Sequence, residues 1–126
     1  MDTSLSVLVV DDSSTMTHII SDMLQKLGFS DIDTAQDGQS ALDRMRLKHY
    51  GLVLSDWEMQ PMGGDEFLKA IRKDPKISRT PIILITAKSS RGASWLAGAN
   101  AFLPKPFNQS DLMMALKSVL GAAGKS

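Results

Sequence analysis

The sequence predicts an α/β domain built on a parallel sheet with helices on both faces. Three observations predict it. Short β-rich runs recur five times, at residues 5–10, 31–35, 52–55, 82–85 and 101–103. Amphipathic stretches with helical spacing separate them. The chain has 126 residues, 43% of them hydrophobic, which suffices for one domain around one core.

The elements follow in order. Val7-Leu8-Val9-Val10 ends in Asp11-Asp12, and Ser13 or Ser14 can cap the helix beyond. Met16, Ile19, Ile20, Met23, Leu24 and Leu27 line one face of that helix, and Gly28 stops it. After the second run, Asp37 can cap a helix with Ala41, Leu42, Met45 and Leu47 inward. The third run, Leu52-Val53-Leu54-Ser55, is a buried strand that gives out at Asp56. Gly64 precedes a helix with Phe67, Leu68 and Ile71 inward, ended by Asp74-Pro75. The fourth run ends in Thr86.

The next helical stretch, 89–98, is poor in helix formers, with two glycines and three serines. An interior Gly costs about 1 kcal/mol relative to Ala, so this stretch is expected to be the least ordered part of the domain apart from the termini. The fifth run leads into Pro104-Lys105-Pro106. The last helix is expected after Ser110-Asp111, packing Leu112, Met113, Leu116, Val119 and Leu120, with a flexible tail at 121–126. That tail lacks the first Gly of a phosphate-binding loop, since position 119 is Val.

Composition narrows the function. Lys+Arg and Asp+Glu are both 14, so the formal net charge is zero and no basic excess points to nucleic acid. Cysteine is absent, which removes disulfides, thiolate metal sites and cysteine nucleophiles, and fits the cytoplasm. No signal-peptide pattern or membrane-length apolar stretch is present. His18 and His49 read as structural or solvated, with no carboxylate pattern around them.

The strand ends carry the chemistry. In a parallel sheet the carboxyl ends share one edge, and ligands bind in the crevice outside it. Asp11, Asp12, Asp56, Thr86 and Lys105 all follow apolar runs, so three acids, a hydroxyl and an amine converge there. Asp after a strand is commonly a turn or a cap, Thr at a strand end is usually inert, and Lys before Pro is usually solvated. The joint pattern outweighs those readings. It suits a carboxylate, Asp56, that accepts a phosphoryl group beside a divalent metal held by oxygen ligands. Thr86 can donate to a phosphoryl oxygen and Lys105 can pair with another. Three carboxylates so close should repel one another, raise at least one pKa and favour a cation.

Val9-Val10-Asp11-Asp12-Ser13-Ser14-Thr15-Met16, Ser55-Asp56-Trp57-Glu58-Met59, Thr86-Ala87 and Lys105-Pro106-Phe107 together resemble a response-regulator receiver domain, of the single-domain CheY-like kind. The resemblance runs from about Leu5 to Leu120, so residues 1–126 are expected to be one receiver domain. It implies a flavodoxin-like (βα)5 sandwich with strand order 2-1-3-4-5. It implies that Asp56 takes a phosphoryl group from a phosphohistidine on a histidine kinase or phosphotransfer protein. Asp11, Asp12 and Asp56, with the backbone carbonyl of Glu58, would hold Mg2+. Thr86 and Lys105 would bind the phosphoryl group, and Phe102 would turn inward as Thr86 moves. That would reshape the face made by the 89–98 stretch, the fifth strand and the last helix, where Trp95, Leu96 and Phe107 are the candidate contacts for a downstream protein. Glu58 and Lys88 would flank the mouth of the site, where a salt bridge between them would tune the phosphoryl lifetime. The chain is expected to be a monomeric switch that turns over no outside substrate, and the charge balance and lack of a long apolar stretch lead to the expectation of no direct contact with nucleic acid or membrane.

The sequence departs from the family pattern in the loop Met59-Gln60-Pro61-Met62-Gly63-Gly64, where Pro comes one place late and Gly stands where Asp is common. Phe102 lacks a hydroxyl, Lys88 replaces a small or acidic residue, and the span from Thr86 to Lys105 is a few residues short. Two alternatives stand beside the leading reading. One is a receiver cut from a larger transcriptional regulator. The other is a haloacid-dehalogenase-like phosphatase, but its Asp-x-Asp spacing is missing from Asp11-Asp12-Ser13.

Overall fold

Five strands form one all-parallel sheet in the order β2-β1-β3-β4-β5, as expected for a flavodoxin-like fold. They are β1 (Val7–Val10), β2 (Ile32–Ala35), β3 (Leu52–Asp56), β4 (Ile82–Ala87) and β5 (Ala101–Lys105). The computed structural model describes residues 1–87 and 98–121, so the expectations for 89–98 and for the tail fall almost wholly outside the described residues. The described helices are α1 (Ser14–Lys26), α2 (Gly38–Leu47), α3 (Gly64–Lys73) and α4 (Gln109–Leu116), the last running into a π-helical turn, Lys117–Gly121.

Alternation along the strands builds three layers. Leu8, Val10, Val53 and Leu84 face one side and pack with Ala41, Leu42 and Met45 of α2 and Phe67, Leu68 and Ile71 of α3. Val7, Val9, Leu54 and Ile85 face the other side, against Ile20 and Leu24 of α1 and Leu112 and Leu116 of α4. The three central strands, β1, β3 and β4, are buried on both faces, which is why they read as continuous apolar runs rather than alternating ones, whereas the edge strands β2 and β5 are partly exposed.

Local signals set the helix ends. Ser13 caps α1 through its side chain, which accepts from the Met16 N–H. Gly28 stops α1 with φ +106°, and the Phe29 N–H returns to the Leu24 carbonyl, satisfying the last turn. Asp37 caps α2. The last helix starts earlier than the sequence suggested. Asn108 is its cap and Asp111 closes a reciprocal capping box, so the acid taken for the start is the third helical residue. Leu47 is a second correction: it is 89% exposed. It lies two residues past Met45, about 200° around the helix from the inward stripe.

At the amino edge of the sheet, Lys48 bridges Asp31 and Asp33, each at 2.9 Å, while Ser6 donates to Asp31 and Tyr50 to Asp33. These bonds hold the Asp31 carboxyl below its ordinary range, chiefly through Ser6, and the Asp33 carboxyl likewise, chiefly through Tyr50. Arg72 is tied differently. Its guanidinium donates to the carbonyls of Ser78, Thr80 and Gly98 and to Asn100 Oδ1. Asn100 Oδ1 also accepts from the Ile82 N–H, and the Asn100 N–H returns to the Ile82 carbonyl. Among the described residues, no helix is long and apolar enough to cross a membrane.

Candidate functional site

The carboxyl edge of the sheet gathers the residues that the sequence singled out. Asp11 follows β1, Asp56 ends β3, Thr86 lies near the end of β4 and Lys105 ends β5. One carboxylate oxygen from each of Asp11, Asp12 and Asp56 lies within 4.8 Å of the others. Lys105 crosses the end of β4 to bring Nζ to 3.0 Å from Asp56 Oδ1. Asp11, Asp56 and Thr86 are buried, whereas Asp12 is exposed at the rim.

Burial places polar atoms where water does not reach them. Among the described residues, four buried side-chain oxygens accept or donate no hydrogen bond, and three are Asp11 Oδ2, Asp56 Oδ1 and Thr86 Oγ1. The Lys105 contact with Asp56 is thus an ion pair without the angle of a directed hydrogen bond. Buried polar groups normally find partners, so two unpartnered oxygens, Asp11 Oδ2 and Thr86 Oγ1, beside the Asp56 carboxylate in one crevice mark a place built for a ligand. The donor set is all oxygen and strongly negative, which fits a hard divalent cation such as Mg2+. Asp11 Oδ1 is oriented by the Ser13 N–H at 2.9 Å, leaving Oδ2 for that role. Burial pushes the Asp11 carboxyl up, with repulsion from Asp56 and Asp12 adding to it. The expected repulsion is therefore present but ranks below desolvation.

The β3–α3 loop is folded tightly over the acceptor. The Trp57 N–H pairs with the Ile85 carbonyl, and the Gly64 N–H returns to the Trp57 carbonyl at 2.8 Å. A Cβ on Gly64 would sit 2.7 Å from both the Asp56 carbonyl oxygen and the Trp57 Cα. Side chains beyond hydrogen are excluded there by backbone, which moves only if the loop moves. The Gln60 N–H reaches Asp12 Oδ2 at 3.3 Å, tying this loop to the acid pair after β1. The unusual loop sequence thus still closes, with Gln60-Pro61 in the cis form.

Other predicted positions are distributed as follows. Phe102 pairs with Leu84 and Pro104 with Thr86, so Phe102 and Thr86 face the same side of the sheet, one pleat apart. Phe102 is half-buried against the α2–α3 core. Phe107 is half-buried against the α1–α4 core. Glu58 is exposed two residues beyond the acceptor. Lys88, Trp95 and Leu96 lie outside the described residues, and with them the Glu58–Lys88 bridge. Sequence reasoning missed Gly64 as a contact of the acceptor and Gln60 as a partner of Asp12. The first had a signal in the paired glycines; the second is a backbone contact with none.

Comparison with known proteins agrees with this geometry. Residues 7–117 match the response regulator receiver domain family. The chain is 34% identical to the chemotaxis protein CheY-3 of Vibrio cholerae over 119 residues, covering 92% of each. It superposes on a solved structure of the chemotaxis response regulator CheY4 of Vibrio cholerae with a TM-score of 0.85 and 35% identity, covering 93% of this chain and 99% of that one. The receiver domain of the sensor histidine kinase PA1611 from Pseudomonas aeruginosa, solved with a magnesium ion coordinated in its active-site cleft, gives a TM-score of 0.85 at 28% identity, covering 94% and 98%. With its acid crevice at the carboxyl edge of a 2-1-3-4-5 sheet and a family match across most of its length, the chain belongs to the response regulator receiver domains.

Proposed function

We propose that Asp56 is the phosphoacceptor of this chain. The chain is a receiver domain, a phosphorylation-activated signalling switch of two-component systems. The observation that carries the assignment is the buried Asp56 carboxylate, 3.0 Å from Lys105 Nζ and beside the orphaned oxygens of Asp11 and Thr86. An Asp56 oxygen attacks the phosphorus of a phosphohistidine on a histidine kinase or phosphotransfer protein. A P–O bond forms, the P–N bond breaks, and the imidazole leaves with a proton from solvent. Asp11, Asp12 and Asp56, with the Glu58 carbonyl, would hold Mg2+. When bound, that ion screens the charge that gathers as the phosphoryl group arrives. Lys105 pairs with a phosphoryl oxygen and Thr86 supplies its unpartnered hydroxyl to another.

Once Thr86 is drawn toward the new acyl phosphate, Phe102 on the same face of the sheet repacks, which biases the domain toward its second state. The face around β5 and α4, with Phe107, Trp95 and Leu96, then meets a downstream protein. Glu58 and Lys88 set the lifetime of the acyl phosphate. In this reading residues 1–126 act as one monomeric cytoplasmic switch that turns over no outside substrate and contacts neither nucleic acid nor membrane.

The deciding experiment is intact mass after treatment with acetyl phosphate and Mg2+. Wild type should gain one alkali-labile phosphoryl group and Asp56→Asn none. Labelling of Asp56→Asn to the wild-type extent would overturn the assignment.

A further inference from the structure

A groove of about 520 Å³ opens at the edge of the sheet opposite the acid crevice, between the α2–β3 and α3–β4 connections. Five of its lining side chains are basic types, Arg46, Lys48, His49, Lys76 and Arg79, and none is acidic. Two of these are already committed. Arg46 pairs with Asp74 at 3.1 Å and Lys48 with Asp31 and Asp33. Lys76 and Arg79 are exposed and have no carboxylate within ion-pair distance among the described residues. The ends of α2 and α3 account for cations in their last turns, through the negative end of the helix dipole. Lys76 and Arg79 lie beyond α3, on the loop to β4, so that account does not reach them. Leu47, also in the lining, is the most exposed large apolar side chain among the described residues, at 89%.

We propose that this groove docks a short acidic segment of a partner protein, carrying an apolar residue that packs on Leu47. Two exposed cations without an ion pair among the described residues share this groove with one exposed leucine, which matches a segment that carries carboxylates and a single apolar side chain. Electrostatic complementarity of this kind supplies on-rate and selectivity. A nucleic-acid duplex is bound through many phosphate contacts, whereas this groove offers only Lys76 and Arg79 without an ion pair among the described residues, on a chain of formal net charge zero. The groove and Asp56 lie at opposite ends of β3, so an occupant would leave the phosphoryl site open. The inference does not depend on the role assigned to Asp56.

The test uses the full chain and a fluorescein-labelled Glu-rich peptide with one central Leu, followed by fluorescence anisotropy at low salt. Saturable binding is expected. The double variant Lys76→Glu/Arg79→Glu should weaken it about tenfold or more, and Leu47→Ser severalfold. Both changes are at exposed positions, and circular dichroism would verify that each variant is folded. A Lys76→Arg/Arg79→Lys variant should bind like wild type. Absence of saturable binding would overturn the proposal, as would equal binding by the charge-reversed variant. So would tighter binding of a DNA duplex or of phosphatidylserine vesicles than of the peptide.

Discussion

Lys105 and Asp56 are joined across β4: their strands are not neighbours, yet Nζ and Oδ1 stand 3.0 Å apart. Two strand spacings separate their backbones, roughly 10 Å, a gap that only a long cationic side chain closes. The ammonium therefore stands beside the carboxylate to which we assign the phosphoryl group, and its charge would oppose a divalent cation held by the neighbouring acids.

Removing that charge is expected to separate the two events. Lys105→Gln should bind Mg2+ about three- to tenfold more tightly, because a like charge beside the ion is gone. The same variant should show less phosphoryl gain from acetyl phosphate. Titration of Trp57 fluorescence in a Trp95→Phe background measures the first and intact mass the second. Weaker Mg2+ binding in Lys105→Gln would contradict the placement.

Asp11 gives a stability test with a definite sign. Its carboxyl is pushed above the ordinary value of 3.8, first by burial. The folded state therefore prefers the neutral form, and that preference is lost as pH rises from the unfolded value through the raised one. Without metal at neutral pH, the buried charge is a cost. Asp11→Asn keeps the acceptor for the Ser13 N–H and removes the charge, so it should raise the metal-free stability by about 1 kcal/mol. It should also abolish stabilisation by Mg2+. Thermal melts with and without Mg2+ at neutral pH compare the two chains; a less stable metal-free variant would count against the charge as the cause.

Thr86 is fully buried with an unpartnered hydroxyl. Thr86→Val replaces that hydroxyl with a methyl of similar size, so the unphosphorylated domain should gain about 1 kcal/mol in denaturant unfolding. Phosphorylation should still add mass, but its effect on Trp57 emission should be largely lost. Retention of the full emission change would show that the hydroxyl is not the link.

Tyr50 is the chain's single tyrosine, so its phenol titrates alone in near-ultraviolet absorbance. Burial and then its bond to Asp33 push it above the ordinary value of 10.0. The stability it contributes is complete below pH 10 and is lost as pH rises through the folded value. Asp33→Asn should lower the midpoint without returning it to 10.0, since burial is the larger cause. An unchanged midpoint would show that the Asp33 bond does not reach solution.

How much of this was legible in the sequence depends on what kind of information each feature needs. Asp11, Asp56 and Thr86 were legible because each closes an apolar run, and a run buried on both faces has few alternatives to a central strand. Lys105 was legible only with the other three, since Lys between prolines says little alone. Ser13 and Asp37 were read as caps from their place before an amphipathic stretch. Leu47 was misread because it is apolar and sits in a helix, although its phase is wrong for the core. The network of Ser6, Asp31, Lys48, Asp33 and Tyr50 depends on the register of β2 against β1, in which Val7 faces Ile32. No local pattern announces that register. The contacts of Arg72 were equally hidden, because they fall on backbone carbonyls that any sequence possesses.

Arg72 has a consequence for how such a chain can diverge. By tying Gly98 and Asn100 to α3 and to the entrance of β4, it anchors the far end of the β4–β5 connection independently of what precedes it. Residues can be lost, gained or exchanged ahead of Gly98 while β5 still enters in register and Lys105 still arrives beside Asp56. The arrival of Lys105 beside Asp56 is thereby insulated from changes of sequence ahead of Gly98. A short span between Thr86 and Lys105 is then a variation in what the domain displays, not in what it can accept.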